Sequence, residues 1–88
     1  MKKIDRLMKM KNRVGELLMQ FDVLLEKGKL TPYGIIDYYA VAGLAQATIK
    51  LEDQKLTQEH LNYLDNFITS IEDSFSIGYY DIDRKVEE

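Results

Sequence analysis

A chain of 88 residues with 15 Asp/Glu, 12 Lys/Arg and no cysteine has room for one small domain and one core. It excludes disulfides, zinc–thiolate sites and thiol nucleophiles. Its apolar share of 45% and charged share of 31% are those of an ordinary globular domain, and they exclude disorder along the whole chain.

The net charge of −3 is unevenly placed. Residues 1–51 carry nine Lys/Arg against five Asp/Glu, or +4, and residues 52–88 carry three against ten, or −7. Such a split marks either a binding face or two ends that attract each other in the folded chain.

The first predicted helix runs from Lys3 to Lys27. Leu7, Met10, Val14, Leu17, Phe21 and Leu24 recur at spacings of three and four, the apolar stripe of an amphipathic helix. Ile4, Leu18 and Leu25 widen it. Gly15 lies mid-helix, and Gly28 stands where a left-handed C-terminal cap is expected.

The second helix runs from Pro32 to Leu51. Ile35, Tyr38, Ala42, Ala45 and Ile49 form its stripe, with Val41, Leu44 and Leu51 beside it. Polar residues are scarce between Tyr38 and Ala45, so this helix is expected to be the most enclosed. Ala40, Gly43 and Ala47 make a ridge of small side chains that admits a close neighbour. The apolar run is too short to cross a bilayer, which needs about 20 residues.

The third helix runs from Gln58 to Phe75, with Leu61, Leu64, Ile68, Ile71 and Phe75 on its apolar face and Gly78 as its stop signal. The triplet Lys-Leu-Thr precedes both the second and the third helix, at 29–31 and 55–57. Thr31 and Thr57 occupy N-cap positions, and Pro32 fits the first helical position. Leu30 with Ile35, and Leu56 with Leu61, stand in hydrophobic-staple register. The repeated triplet is helix punctuation, with Lys29 and Lys55 as solvated loop residues.

Helices of these lengths span about 38, 30 and 27 Å at 1.5 Å per residue. The first therefore overhangs the others, leaving its start without an internal partner and inviting dimerisation or packing by the C-terminal tail. Residues 79–88 read as an acidic, aromatic C-terminal tail on a helical-bundle domain of residues 1–78. Tyr79, Tyr80, Asp81 and Ile82 follow one another where the helical period stops. They either fold back to close the end of the bundle or form a partner-binding patch, tyrosine being a frequent interface anchor. Asp81 can also cap a short last helix from Ile82 to Glu87.

No pattern supports catalysis or a cofactor. His60 is the single histidine, without a nucleophile–base set around it. The acidic pairs Glu52-Asp53 and Asp81/Asp83 lack the spacing of a calcium loop, and no glycine-rich phosphate loop occurs. Lys2, Lys3, Arg6, Lys9, Lys11 and Arg13 crowd the chain start, with Lys9, Lys11 and Arg13 as a second candidate surface for nucleic acid or an anionic membrane. DNA reading by the third helix is opposed by Glu59, Asp65, Glu72 and Asp73. No apolar run follows the basic N-terminus, so a cytoplasmic protein without a signal peptide is expected.

The stretch KLTQEHLNYLDNFITSI followed by IGYY resembles the ending of small helical bacteriocin immunity proteins. The likeness covers about a third of the chain. Those proteins are longer, with four helices, and often basic. The resemblance implies an alternative function as an immunity protein working near a membrane. The all-helical chorismate mutases share length and a helical start, but they need several cations in a bundle pocket. Here Arg6 and Arg13 are the only early arginines, and the second helix offers only Lys50.

The expected fold is therefore all-α, a three-helix antiparallel bundle with a short helix or aromatic tail packed on its end. The expected function is a non-enzymatic protein–protein interaction module: an inhibitor, adaptor or small regulatory subunit. No cofactor or metal is expected, and the partner is another protein or a second copy of the chain.

Overall fold

The computed structural model describes residues 3–51 and 56–83, with side chains over 5–47 and 56–83. Three helices occupy them: α1 (Lys3–Glu26), α2 (Pro32–Leu51) and α3 (Gln58–Ser76). The fold is the expected all-α bundle, and each helix boundary lies within one residue of the sequence expectation.

Local chemistry sets these boundaries. The Thr31 hydroxyl accepts from the Gly34 amide at 3.0 Å, and the Thr57 hydroxyl accepts from the His60 amide at 3.1 Å. Each satisfies one of the amides that a helix start leaves unpaired. The two helix ends that meet the tail are also alike. Lys29 N–H donates to Leu24 O at 2.9 Å and Gly28 N–H to Leu25 O at 3.0 Å. Tyr79 N–H donates to Ser74 O and Gly78 N–H to Phe75 O, both at 3.0 Å. This is the Schellman pattern twice. Gly28 at φ 67° and Gly78 at φ 76° supply the left-handed residue it requires.

α1 packs against both other helices. Leu7, Met10, Val14, Leu17 and Phe21 along α1 are buried together with Val41 of α2 and Leu61, Ile68 and Ile71 of α3. α3 runs parallel to α1 from its first turn, since Arg6 Nη1 donates to Gln58 Oε1 at 2.5 Å and Arg6 Nη2 to Asn62 Oδ1 at 3.0 Å. The expected overhang of α1 is thereby corrected over its described side chains: Leu7 and Met10 are each only 3% exposed.

The core stripe of α2 is also rotated from the expected one. Val41 lies at its centre, whereas Ile35 is 42% exposed. Leu30 turns inward, so close over Gly34 that an added Cβ would lie 2.5 Å from Leu30 Cδ1. The side chains of Ile4, Ile49 and Leu51 and the loop residue Lys55 lie outside the described residues. So does the remainder of the expected short helix beyond Asp83. Among the described residues, no helix is long and apolar enough to cross a membrane.

Candidate functional site

Leaving the Schellman turn at Gly78, the chain doubles back beside residues 29–31. Thr31 N–H donates to Tyr80 O and Ile82 N–H to Lys29 O, both at 2.9 Å, forming a one-residue antiparallel bridge between Leu30 and Asp81. Lys29 Nζ also pairs with the Asp83 carboxylate. Extended backbone alternates its side chains between faces. Tyr80 consequently points into the bundle while Tyr79 stays at the surface.

Tyr80 is 1% exposed. Its ring packs at 5.0 Å from Phe21 and 4.8 Å from Phe75, the latter edge-on. Its hydroxyl donates to Asp37 Oδ2 at 2.7 Å. Burial pushes the phenol pKa well above its ordinary value, and the hydrogen bond to Asp37 adds to the effect. Tyr80 is therefore corrected from candidate contact to core residue, and the expected boundary after residue 78 divides a single packed unit. Asp81 is committed within the chain as well, its Oδ1 accepting from Asp83 N–H at 2.9 Å.

Two of the four predicted tail residues remain accessible: Tyr79 is 40% and Ile82 is 56% exposed. Tyr79 stacks on Tyr33 of α2 with ring centroids 5.6 Å apart and planes 27° from parallel. Tyr33, which sequence reasoning did not single out, thus completes the tail surface.

The second predicted surface does not assemble. Residues two apart on a helix point about 200° apart, so Lys11 lies away from Lys9 and Arg13. Lys9 is exposed, while Lys11 is half-buried and not free. Arg13 is held by Glu72, Asp65 and Thr69 of α3. Hydrogen bonds first to Glu72 and then to Asp65 hold its guanidinium pKa above the ordinary value. The basic start of α1 and the acidic α3 therefore answer each other, and the Arg13 guanidinium is engaged within the fold.

A further accessible area lies along α2. Between Pro32 and Ala47 its only charged residue is Asp37, which is turned toward Tyr80. Ile36 is 66% and Tyr39 is 70% exposed, and Ala40 and Gly43 are exposed beside them. The expectation that α2 is the most enclosed helix is thus corrected. An apolar helix with α1 along one side cannot bury its whole circumference, and here the small-residue ridge faces outward. The usable signal was the missing polar stripe: an amphipathic helix shows its buried side, whereas an apolar one shows only that all of it avoids water.

His60 shapes the start of α3. Its Nδ1 accepts from Thr57 N–H at 3.2 Å, completing a reciprocal capping box. Among the described residues, no three His, Asp or Glu side chains gather as a metal site. Compared with protein-family models, with curated proteins and with solved structures, the chain matches none.

Proposed function

We propose that this chain is a non-enzymatic interaction module that binds another protein through the surface built from Tyr33, Tyr79 and Ile82. The observation that carries the reading is the Tyr33–Tyr79 stack. Two large amphipathic rings are held in a fixed orientation at the surface, one on a helix and one on a backbone tied to the 29–31 loop. Rigid aromatic side chains lose little conformational freedom on binding, which suits them to anchor an interface. Ile82 adds an exposed apolar neighbour, and the Lys29–Asp83 pair provides a polar rim.

Affinity capture from the native host, read by mass spectrometry, tests this reading. Tyr79→Ala and Ile82→Asp are expected to lose the captured protein while far-UV circular dichroism keeps its helical signal. Undiminished capture by both variants would exclude this surface.

A further inference from the structure

We propose that the outward face of α2 pairs with the same face of a second copy of this chain, antiparallel about a two-fold axis between residues 39 and 40. The inference goes beyond the tail surface and uses different residues. Six positions, Pro32, Ile36, Tyr39, Ala40, Gly43 and Ala47, fall within a sector of about 100° on the helix. Their spacing is four, three, one, three and four, the same read in either direction. The first half holds the large side chains and the second half the small ones. An antiparallel two-fold sets Ile36 over Gly43, Tyr39 over Ala40 and Pro32 over Ala47. Parallel pairing would instead set large on large and leave the small positions facing each other.

Charge and area favour the same occupant. The sector bears no charged side chain, so two copies meet without like-charge repulsion, as an isologous contact requires. Ile36 and Tyr39, at 66% and 70% exposure, together present about 300 Å² of side chain, the size of the biggest patch on a typical monomer.

Gly43 leaves room for close approach. A glycine within a helix is less stable than alanine there. Nothing lies within 4 Å of the place its Cβ would take. The space over Gly43 is therefore open within the single chain, and in the proposed pairing it receives Ile36 of the second copy.

Sedimentation velocity across roughly 1–200 μM is expected to show the 10.3 kDa chain passing to twice its mass. Gly43→Leu fills the notch in open space and should weaken association at least about tenfold with helicity unchanged. Adding Ile36→Ala to Gly43→Leu moves the large residue to the other half and should restore the dimer. If Gly43→Leu loses helicity, Tyr39→Glu, at a 70% exposed position, carries the same test. A wild type monomeric over the whole range, or dimers unaffected by these single variants, would overturn the pairing. Failure of the swap to restore association would overturn its antiparallel register. Tyr79→Ala leaves this dimer intact, so the tail surface and the α2 face stand or fall separately.

Discussion

Arg13 grips Glu72 with one edge of its guanidinium: Nε donates to Oε2 at 3.1 Å and Nη2 to Oε1 at 2.6 Å. Its Nη1 meets Asp65 Oδ1 at 2.5 Å, and Nη2 also donates to Thr69 Oγ1 at 3.0 Å. One side chain of the basic segment thus spans two turns of the acidic helix. Together with Arg6 it fixes α3 alongside α1 in a parallel register.

Geometry as well as charge matters here, because lysine is a point charge and cannot form the fork. Arg13→Lys is expected to lower stability by about 1 kcal/mol, since the pairs are partly solvated and exposed ion pairs contribute little. In a chain of this size that lowers the melting midpoint by about 4–8 °C. Urea unfolding at low and high salt checks it. The wild type should lose part of its advantage over the variant as salt rises, because the salt screens the pair. Equal midpoints for the two proteins at low salt would show the fork to be structurally idle.

Tyr80 gives the fold an alkaline limit. An unfolded tyrosine ionises near pH 10, and burial followed by the Asp37 hydrogen bond keeps the folded one protonated to higher pH. Above pH ~10 the unfolded chain therefore releases a proton that the folded chain retains. The stabilisation is complete below that pH and is lost as pH rises toward the folded pKa, by about 1.4 kcal/mol per unit for one such group. Tyr80→Phe keeps the ring but loses the bond to Asp37, and is expected to be about 1–2 kcal/mol less stable at pH 7. The difference should shrink, then reverse, as urea unfolding is repeated toward pH 11. A difference independent of pH would mean that the phenol is not the linked group.

The helix boundaries were legible because their causes are local: Thr31, Thr57, Gly28 and Gly78 act within a few residues of themselves. The roles of Tyr79 and Tyr80 were not legible, because adjacent residues of one type were sent to opposite sides by a bridge to Leu30, far away in the chain. The basic cluster misled for a related reason. Composition showed the cations, but the fact that Arg13 faces Asp65 and Glu72 depends on how α1 and α3 are rotated against each other. α2 failed on physical grounds: an apolar helix advertises avoidance of water without saying which side is covered by its own chain.

Two helical glycines should respond to alanine with opposite signs. Gly15 is exposed with nothing within 4 Å of a Cβ, so Gly15→Ala should gain about 0.5–1 kcal/mol from backbone entropy. Gly34→Ala gains the same term, but its Cβ would lie 2.5 Å from Leu30 Cδ1 and 3.2 Å from Thr31 Oγ1. Leu30 is buried, and overpacking costs about 1–3 kcal/mol. Calorimetry should therefore show a raised midpoint for Gly15→Ala and a lowered one for Gly34→Ala. A raised midpoint for Gly34→Ala would show that Leu30 yields freely.

The capping box of α3 can be taken apart one bond at a time. Thr57 donates its amide to His60 Nδ1 at 3.2 Å and accepts the His60 amide on its hydroxyl at 3.1 Å. Thr57→Ala removes the hydroxyl and should reduce stability by about 1 kcal/mol. His60→Ala removes only the returning acceptor, so its effect should be smaller. His60→Gln supplies an acceptor of the kind usual at this position and should match or exceed the wild type. Because both side chains are exposed, lost packing does not blur the comparison. Thermal unfolding should rank the variants Gln, wild type, His60→Ala and Thr57→Ala in falling order. If His60→Ala and His60→Gln melt alike, the histidine nitrogen is not an effective cap, and Thr57 alone holds the start of α3.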